Sequence, residues 1–238
     1  MKSTLRSVAL SGAVLLLAAC AGGGVGLPGA TAQLDRLKTL QAQEKFDAIA
    51  AEEPNSDCLA RPFGADACPQ IHAIRGRAYL TLAMREAQPG AHCPMPTQTA
   101  RANMEKAIAA YGLASGAAAA GSEDATSMAE NQALALTCAA PFHRPDEAVA
   151  MTRKAVTGLD AMPPSPGRAL MASSAMLSIA QRTELPAADR CAAARDAAAR
   201  AHRGLTGPPA ATGETAKRLQ QTANAAAAGA PGLPTTCS

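Results

Sequence analysis

Hydrophobic side chains recur at helical spacing along most of this chain. Leu34, Leu37 and Leu40 follow one another at three-residue steps, and Ile71 and Ile74 begin a similar face further on. Steps of three and four residues place side chains on one face of an α-helix, whereas a half-buried strand alternates apolar and polar residues. No convincing run of such alternation occurs in the sequence. The pattern therefore predicts an all-α protein.

Proline, glycine and short polar side chains divide the pattern into about eight helices. Proline suits the first turn of a helix because it has no backbone N–H to leave unpaired, and serine or threonine caps the free N–H groups there. By these signals the helices begin near Ala32, Pro69, Thr97 or Thr99, Ser122, Pro145, Ser165, Pro186 and Glu214. The first helix is expected to bend near its middle. Short breaks between the others would let successive helices pack as antiparallel hairpins.

The N-terminal segment has a different pattern. Lys2 and Arg6 precede an apolar run that ends in small residues, which gives the charged, apolar and small-residue zones of an export signal. The motif Leu17-Ala18-Ala19-Cys20 resembles the lipobox of bacterial lipoproteins. The resemblance implies a signal peptide over residues 1–19, cleavage before Cys20 and acylation of Cys20. The alternative is an ordinary signal peptide that is cleaved elsewhere.

The residue after Cys20 bears on which membrane would hold the protein. In the lipoproteins that this segment resembles, an aspartate there commonly retains the protein in the inner membrane, and this chain has Ala21. The resemblance therefore implies a lipid anchor in the outer membrane, with the protein on its periplasmic side. We expect a flexible glycine-rich tether over residues 20–31, a helical-repeat domain over 32–229 and a C-terminal tail over 230–238.

Cysteine usage agrees with export to an oxidising compartment. Of the seven cysteines, six lie beyond Cys20, which is the even number that a set of disulfides requires. Six cysteines allow many pairings, and the sequence alone does not choose among them. If the helices form antiparallel hairpins, sequential pairing is favoured. The expected disulfides are Cys58–Cys68, Cys93–Cys138 and Cys191–Cys237.

Three of the predicted helices share a step of four and then three residues. The positions are Ala107, Tyr111 and Ala114; Ala148, Thr152 and Ala155; and Cys191, Arg195 and Ala198. The first two sets resemble the second helix of a tetratricopeptide repeat, and Gly76 and Tyr79 have the step of that family's first helix. The distance from Ala107 to Ala148 exceeds that repeat's length of about 34 residues. The resemblance therefore extends to helical-hairpin arrays in general, and it implies close packing and a concave face that holds another protein.

Charge and candidate chemistry narrow the function classes. The formal net charge is +3, and Lys2 and Arg6 would leave with the signal peptide. Because no dense cluster of lysine and arginine occurs, we expect no nucleic-acid partner. The four histidines have no metal-ligand spacing, and no Cys-x-x-Cys motif occurs. Asp146 and Glu147 could serve as paired catalytic carboxylates, but acidic residues in the first turn of a helix explain them more simply. The histidines are His72, His92, His143 and His202.

The sequence contains no recognised catalytic motif. No glycine-flanked serine elbow, phosphate-binding glycine loop or zinc-protease signature is present, so we expect no enzyme, metal or cofactor. The favoured hypothesis is a lipid-anchored periplasmic scaffold with an envelope protein as its partner. The alternative is a small-ligand-binding or hydrolytic envelope protein with a pocket between its helices.

Overall fold

All regular structure in the described part of the chain is helical. The computed structural model describes residues 28–60, 67–87, 93–95, 97–117, 123–227, 232–234 and 237, so the lipobox segment, Cys20 and His92 lie outside it. Within these ranges the helices are α1 Pro28–Ala42, α2 Phe46–Ala51, α3 Ser56–Ala60, α4 Ala67–Met84, α5 Gln98–Ala117, α6 Glu123–Ala139, α7 Pro145–Asp160, α8 Pro166–Ala180, α9 Ala187–Thr206 and α10 Gly213–Ala225. A short 3₁₀ turn, Ala140–Phe142, joins α6 to α7.

The first predicted helix is two helices, α1 and α2. Glu44 adopts a left-handed conformation with φ of 55°. Its N–H donates to the Gln41 carbonyl over 3.0 Å, and the Lys45 N–H donates to the Leu40 carbonyl over 3.0 Å. This pair of bonds is the Schellman motif, which ends a helix by satisfying its last carbonyl groups. The expected bend is therefore a complete break.

Both ends of the folded domain differ from their predicted positions. α1 begins at Pro28 rather than Ala32, and Ala30 is fully buried. At the other end Leu233 packs into the hydrophobic core, and the Arg190 guanidinium donates to the Gly232 carbonyl over 2.5 Å. Part of the predicted tether and part of the predicted tail therefore belong to the packed domain.

Capping residues fix the starts of two long helices as the sequence predicts. The Thr97 hydroxyl accepts a 3.0 Å hydrogen bond from the Ala100 N–H at the start of α5. The Ser165 hydroxyl accepts a 3.2 Å bond from the Arg168 N–H at the start of α8. Each cap satisfies an N–H group that has no partner inside its own helix.

The helices pack chiefly against their neighbours in the sequence. From α4 to α10 each helix contacts the next, and α4 also touches α6 while α6 touches α8. The buried positions are rich in alanine, including Ala107 and Ala114 of α5 and Ala197 and Ala201 of α9. Small side chains let helix axes approach closely, as Gly76 does against the ring of Tyr111.

The helix α9 turns a different face to the core from the one its spacing indicates. Arg195 is exposed, and Ala198 is only partly buried. The core is instead reached by Ala193, Ala194 and Ala197, and this register leaves Arg195 in solvent.

Three disulfides link distant parts of the fold, and all three pairings match the prediction. The Cα atoms lie 5.2 Å apart in Cys58–Cys68, 5.1 Å in Cys93–Cys138 and 5.0 Å in Cys191–Cys237. The second bridge holds the segment before α5 at the end of α6. The third holds the first turns of α9 beside the segment that follows α10.

Candidate functional site

The seven residues predicted to pack the repeats are all buried. Gly76 and Tyr79 lie in α4, and the other five lie in α5 and α7; those are Ala107, Tyr111, Ala114, Ala148 and Ala155. A Cβ atom on Gly76 would stand 3.0 Å from Cγ of Tyr111, so the glycine lets the aromatic ring lie directly on the α4 backbone. Burial raises the pKa of Tyr111, and the positive charge of Arg77 opposes that shift.

Tyr111 forms the floor of a groove between α4 and α6, which we call the α4–α6 groove. Its cavity volume is about 360 Å³. The lining residues are Arg77, Leu80, Thr81 and Met84 of α4, Tyr111 of α5, and Asn131 and Leu134 of α6. The helices α4 and α6 thus contribute its two walls, and the groove is open to solvent. Its walls are mostly apolar, with Arg77, Thr81 and Asn131 as the polar groups.

Among the described residues, Arg77 is the only charged side chain that lines the α4–α6 groove. It is exposed, and within the described ranges no carboxylate lies within ion-pair distance of it. Its guanidinium therefore keeps hydrogen-bonding capacity that no described carboxylate uses.

A buried polar relay holds α4 against α2 beside the groove. The Arg75 guanidinium donates to the Tyr79 hydroxyl over 2.8 Å, and that hydroxyl donates to the Ala50 carbonyl over 3.1 Å. The Lys106 ammonium group lies 5.5 Å from the centroid of the Tyr79 ring. The relay fixes the orientation of α4, and so of the residues that line the groove.

A second cavity lies where the end of α7, the start of α8 and the end of α9 meet; we call it the α8 cavity. Its volume is about 410 Å³. Most of its wall is apolar, and its charged lining residues are Asp160, Arg168, Arg200 and Arg203. The Arg168 Nε donates to Glu130 over 2.6 Å. The Arg200 guanidinium donates to Asp160 over 2.5 Å and to Asp196 over 2.9 Å.

The described histidines lie apart from one another, and each has a different environment. His72 is buried beside the Cys58–Cys68 bridge; burial lowers its pKa, while a hydrogen bond to the Cys58 backbone partly opposes that shift. His143 lies 3.6 Å from Glu105 and 3.4 Å from Glu147. His202 is exposed on α9.

The described ranges contain no cluster of candidate metal ligands. No set of three or more histidine, cysteine, aspartate or glutamate side chains there is placed to hold a metal ion. Ser173 is fully buried, and its hydroxyl donates to the Leu170 carbonyl over 3.1 Å. Asp146 pairs with Arg144 over 3.7 Å at the start of α7, where the helix dipole favours an acid.

Sequence reasoning found the packing residues but missed the lining residues. Arg77, Asn131 and Leu134 form one groove although α4 and α6 are separated by the whole of α5. Arg168 and Arg203 of the α8 cavity come from different helices. Neither set has a local motif, so only the order in which the helices pack could have indicated them.

None of the described helices is long and apolar enough to cross a membrane. No protein-family model matches this chain, and a search of curated proteins finds no similar sequence.

Proposed function

We propose that this chain is a lipid-anchored, periplasmic helical-repeat scaffold that mediates protein–protein interaction in the cell envelope. The observation that carries the proposal is the α4–α6 groove, an open surface whose walls come from α4 and α6 and whose floor is Tyr111. A groove shared between hairpins is the type of surface with which helical arrays bind partners.

The composition of the groove supports a protein partner with one apolar and one acidic group. Leu80, Met84 and Leu134 offer an apolar slot, and Tyr111 closes it below. Arg77 at the rim has no carboxylate partner among the described side chains, so an acidic group of the partner would complete it. Buried aromatic and aliphatic anchors with charges at the rim are typical of binding hot spots.

The rigidity of the groove is a second support. Its floor is fixed by the contact between Gly76 and Tyr111, and its α4 wall by the relay from Arg75 through Tyr79. A preformed surface loses little conformational entropy on binding, which favours affinity.

The proposed location rests on the N-terminal motif and the disulfides. Leu17-Ala18-Ala19-Cys20 resembles a lipobox, and three disulfides accord with an oxidising compartment. Acyl chains on Cys20 would hold the protein at the outer membrane and leave its helical body in the periplasm.

The test is site-specific photo-cross-linking in the native envelope. A photoreactive side chain at Thr81 reports on the groove, and one at the exposed Lys154 of α7 is the matched control. We expect a discrete cross-linked protein from Thr81 and none from Lys154. Arg77→Glu should abolish that product, whereas Arg153→Glu should not. Identical patterns at both positions, or no product at either, would contradict the groove as an interaction surface.

A second candidate function is small-ligand binding, which the α8 cavity favours. That cavity has an apolar wall with three guanidinium groups, and its residues are distinct from those of the α4–α6 groove. The two functions are compatible in one chain because the two surfaces share no lining residue.

A further inference from the structure

The α8 cavity combines an apolar wall with three guanidinium groups. Those of Arg168 and Arg200 are paired with Glu130, Asp160 and Asp196, and the third belongs to Arg203. We propose that this cavity binds a small organic anion, in which a carboxylate or a phosphate monoester is attached to an apolar body. The inference rests on the second candidate function, small-ligand binding in this cavity, and is independent of the proposed scaffold function.

Two of the guanidinium groups are held in place by other parts of the fold. Arg200 is anchored by Asp160 and Asp196, and only 12% of its side chain is exposed. Burial alone would lower the pKa of Arg200, but its hydrogen bonds to the two aspartates raise it, so it stays charged. Arg168 is anchored by Glu130 and by the Pro163 carbonyl. Both are therefore preorganised rather than mobile surface charges.

The anchored arginines keep hydrogen-bonding capacity. A guanidinium has five N–H donors. The bonds that the structure describes for Arg168 and Arg200 use Nε and Nη1 of each. The described bonds leave the Nη2 groups of both arginines as donors to an anion's oxygens.

Arg203 supplies a charge that no described side chain compensates. It is exposed, and within the described ranges its guanidinium has neither an ion pair nor a side-chain hydrogen bond. Arg203 lies near Arg200 on α9 and lines the same cavity. An anion placed there would pair with Arg203 without displacing a carboxylate of the protein.

The apolar wall of the cavity would contact the apolar body of the ligand. It is formed by Leu159, Met162, Pro164, Pro166, Pro208 and Pro209. A volume of about 410 Å³ is within the range of small-molecule sites. An inorganic ion would leave this wall in contact with water, whereas an apolar body would cover it. The positive end of α8, whose first residue Pro166 lines the cavity, adds to the attraction for a negative group.

The test is a titration of the purified full chain, followed through the backbone amide resonances of Gly204 and Gly207 in the cavity wall. The probes are benzoate and phenyl phosphate, which carry both features. The controls are inorganic phosphate, which has no apolar body, and benzyl alcohol, which has no charge. We expect saturable shifts with both probes and at least about tenfold weaker binding of both controls.

A matched pair of variants tests the role of Arg203. Arg203→Gln removes the uncompensated charge from an exposed side chain and should weaken benzoate binding about tenfold, while Arg203→Lys should restore part of it. Arg195→Gln removes an exposed arginine from the same helix outside the cavity and should leave the affinity unchanged.

Two further outcomes decide the source of the ligand and the fate of the proposal. Binding of dihexanoylphosphatidate at least about tenfold tighter than phenyl phosphate would identify a lipid headgroup, and weaker binding would identify a free metabolite. Equal affinity for benzoate and benzyl alcohol, an equal effect of Arg195→Gln, or no saturable binding of either probe would overturn the proposal.

Discussion

Gly76 of α4 lies directly against the ring of Tyr111 of α5. A Cβ atom at residue 76 would stand 3.0 Å from Cγ and 3.1 Å from both Cδ atoms of the ring. That spacing is tighter than ordinary van der Waals contact, and the ring is itself buried, so it has little room to withdraw.

The first prediction concerns this contact. Gly76→Ala should lower the free energy of unfolding, because the cost of overpacking, about 1–3 kcal/mol, exceeds the gain in helix propensity of about 1 kcal/mol. Gly158→Ala in α7 is the matched control, since nothing lies within 4 Å of the Cβ atom it would add. Gly158→Ala should raise the free energy of unfolding by about 0.5–1 kcal/mol. Urea unfolding of both variants measures the difference; changes of the same sign would contradict the packing.

The two tyrosines of the chain should differ in what their hydroxyl groups contribute. Tyr79→Phe removes the acceptor of Arg75 and the donor to Ala50, and we expect a loss of about 1–3 kcal/mol because these groups are left unpaired. Tyr111→Phe should change stability by less than about 0.5 kcal/mol, since the structure gives its hydroxyl no hydrogen bond in the described ranges. Thermal unfolding compares the two, and equal losses would refute the assigned role of the relay.

The free energy of unfolding should fall as the pH is lowered, because of His72. Burial holds the pKa of this imidazole below its ordinary value of 6.5, and Arg75 adds to the shift. The unfolded state therefore binds the proton more readily than the folded state does. The contribution is complete above about pH 6.5 and is lost as the pH falls from there towards the folded pKa. His72→Gln should flatten the dependence of stability on pH, whereas replacement of the exposed His202 by Gln should leave that dependence unchanged. Unfolding experiments between pH 7 and 5 measure both variants. An unchanged slope in His72→Gln would contradict the role of His72.

The disulfides should stabilise the protein unequally. Cys93–Cys138 spans 45 residues of sequence and Cys58–Cys68 spans 10. In the chain-entropy model, loss of the disulfide that closes the longer loop lowers the free energy of unfolding by about 4 kcal/mol, and loss of the other lowers it by about 3 kcal/mol. Paired Cys→Ala variants, compared by urea unfolding, test this order. Non-reducing peptide mapping of the native protein provides the check on the pairing itself, and free thiols at these positions would exclude it.

Membrane attachment should depend on Cys20. If this cysteine carries the acyl chains, Cys20→Ala should move the protein from the membrane fraction to the soluble fraction after cell lysis. Cys58→Ala with Cys68→Ala is a control that removes sulfur without touching the N-terminal motif. An unchanged membrane fraction for Cys20→Ala would contradict the anchor.

The sequence predicts best those features that depend on local chemistry. Thr97 and Ser165 cap helices because a side-chain oxygen beside a free N–H is favourable in any context. The alanine steps around Tyr111 also indicate their buried face, since three- and four-residue steps fix one side of a helix. The disulfide pairings follow once the helix order is assumed.

Other features depend on interactions that no local pattern records. Glu44 adopts the left-handed conformation that usually favours glycine or asparagine, so nothing at that position predicts the end of α1. In α9, Arg195 stands at the step where an apolar residue would be expected, and it is exposed because burial of its charge would be costly. The proposed roles of Arg77 and Arg203 depend on residues of other helices that line the same groove or cavity, and these residues come together only when the helices pack.

The alanine-rich interior makes the fold's response to substitution one-sided. Residues such as Ala107, Ala114 and Ala197 are fully buried and have a single methyl group to lose, so truncation removes little from the core. Enlarging them is different, because each added carbon atom must separate helices whose backbones already lie close together. Harmful substitutions in this molecule should therefore be gains of volume far more often than losses, the reverse of what a leucine-rich core would show.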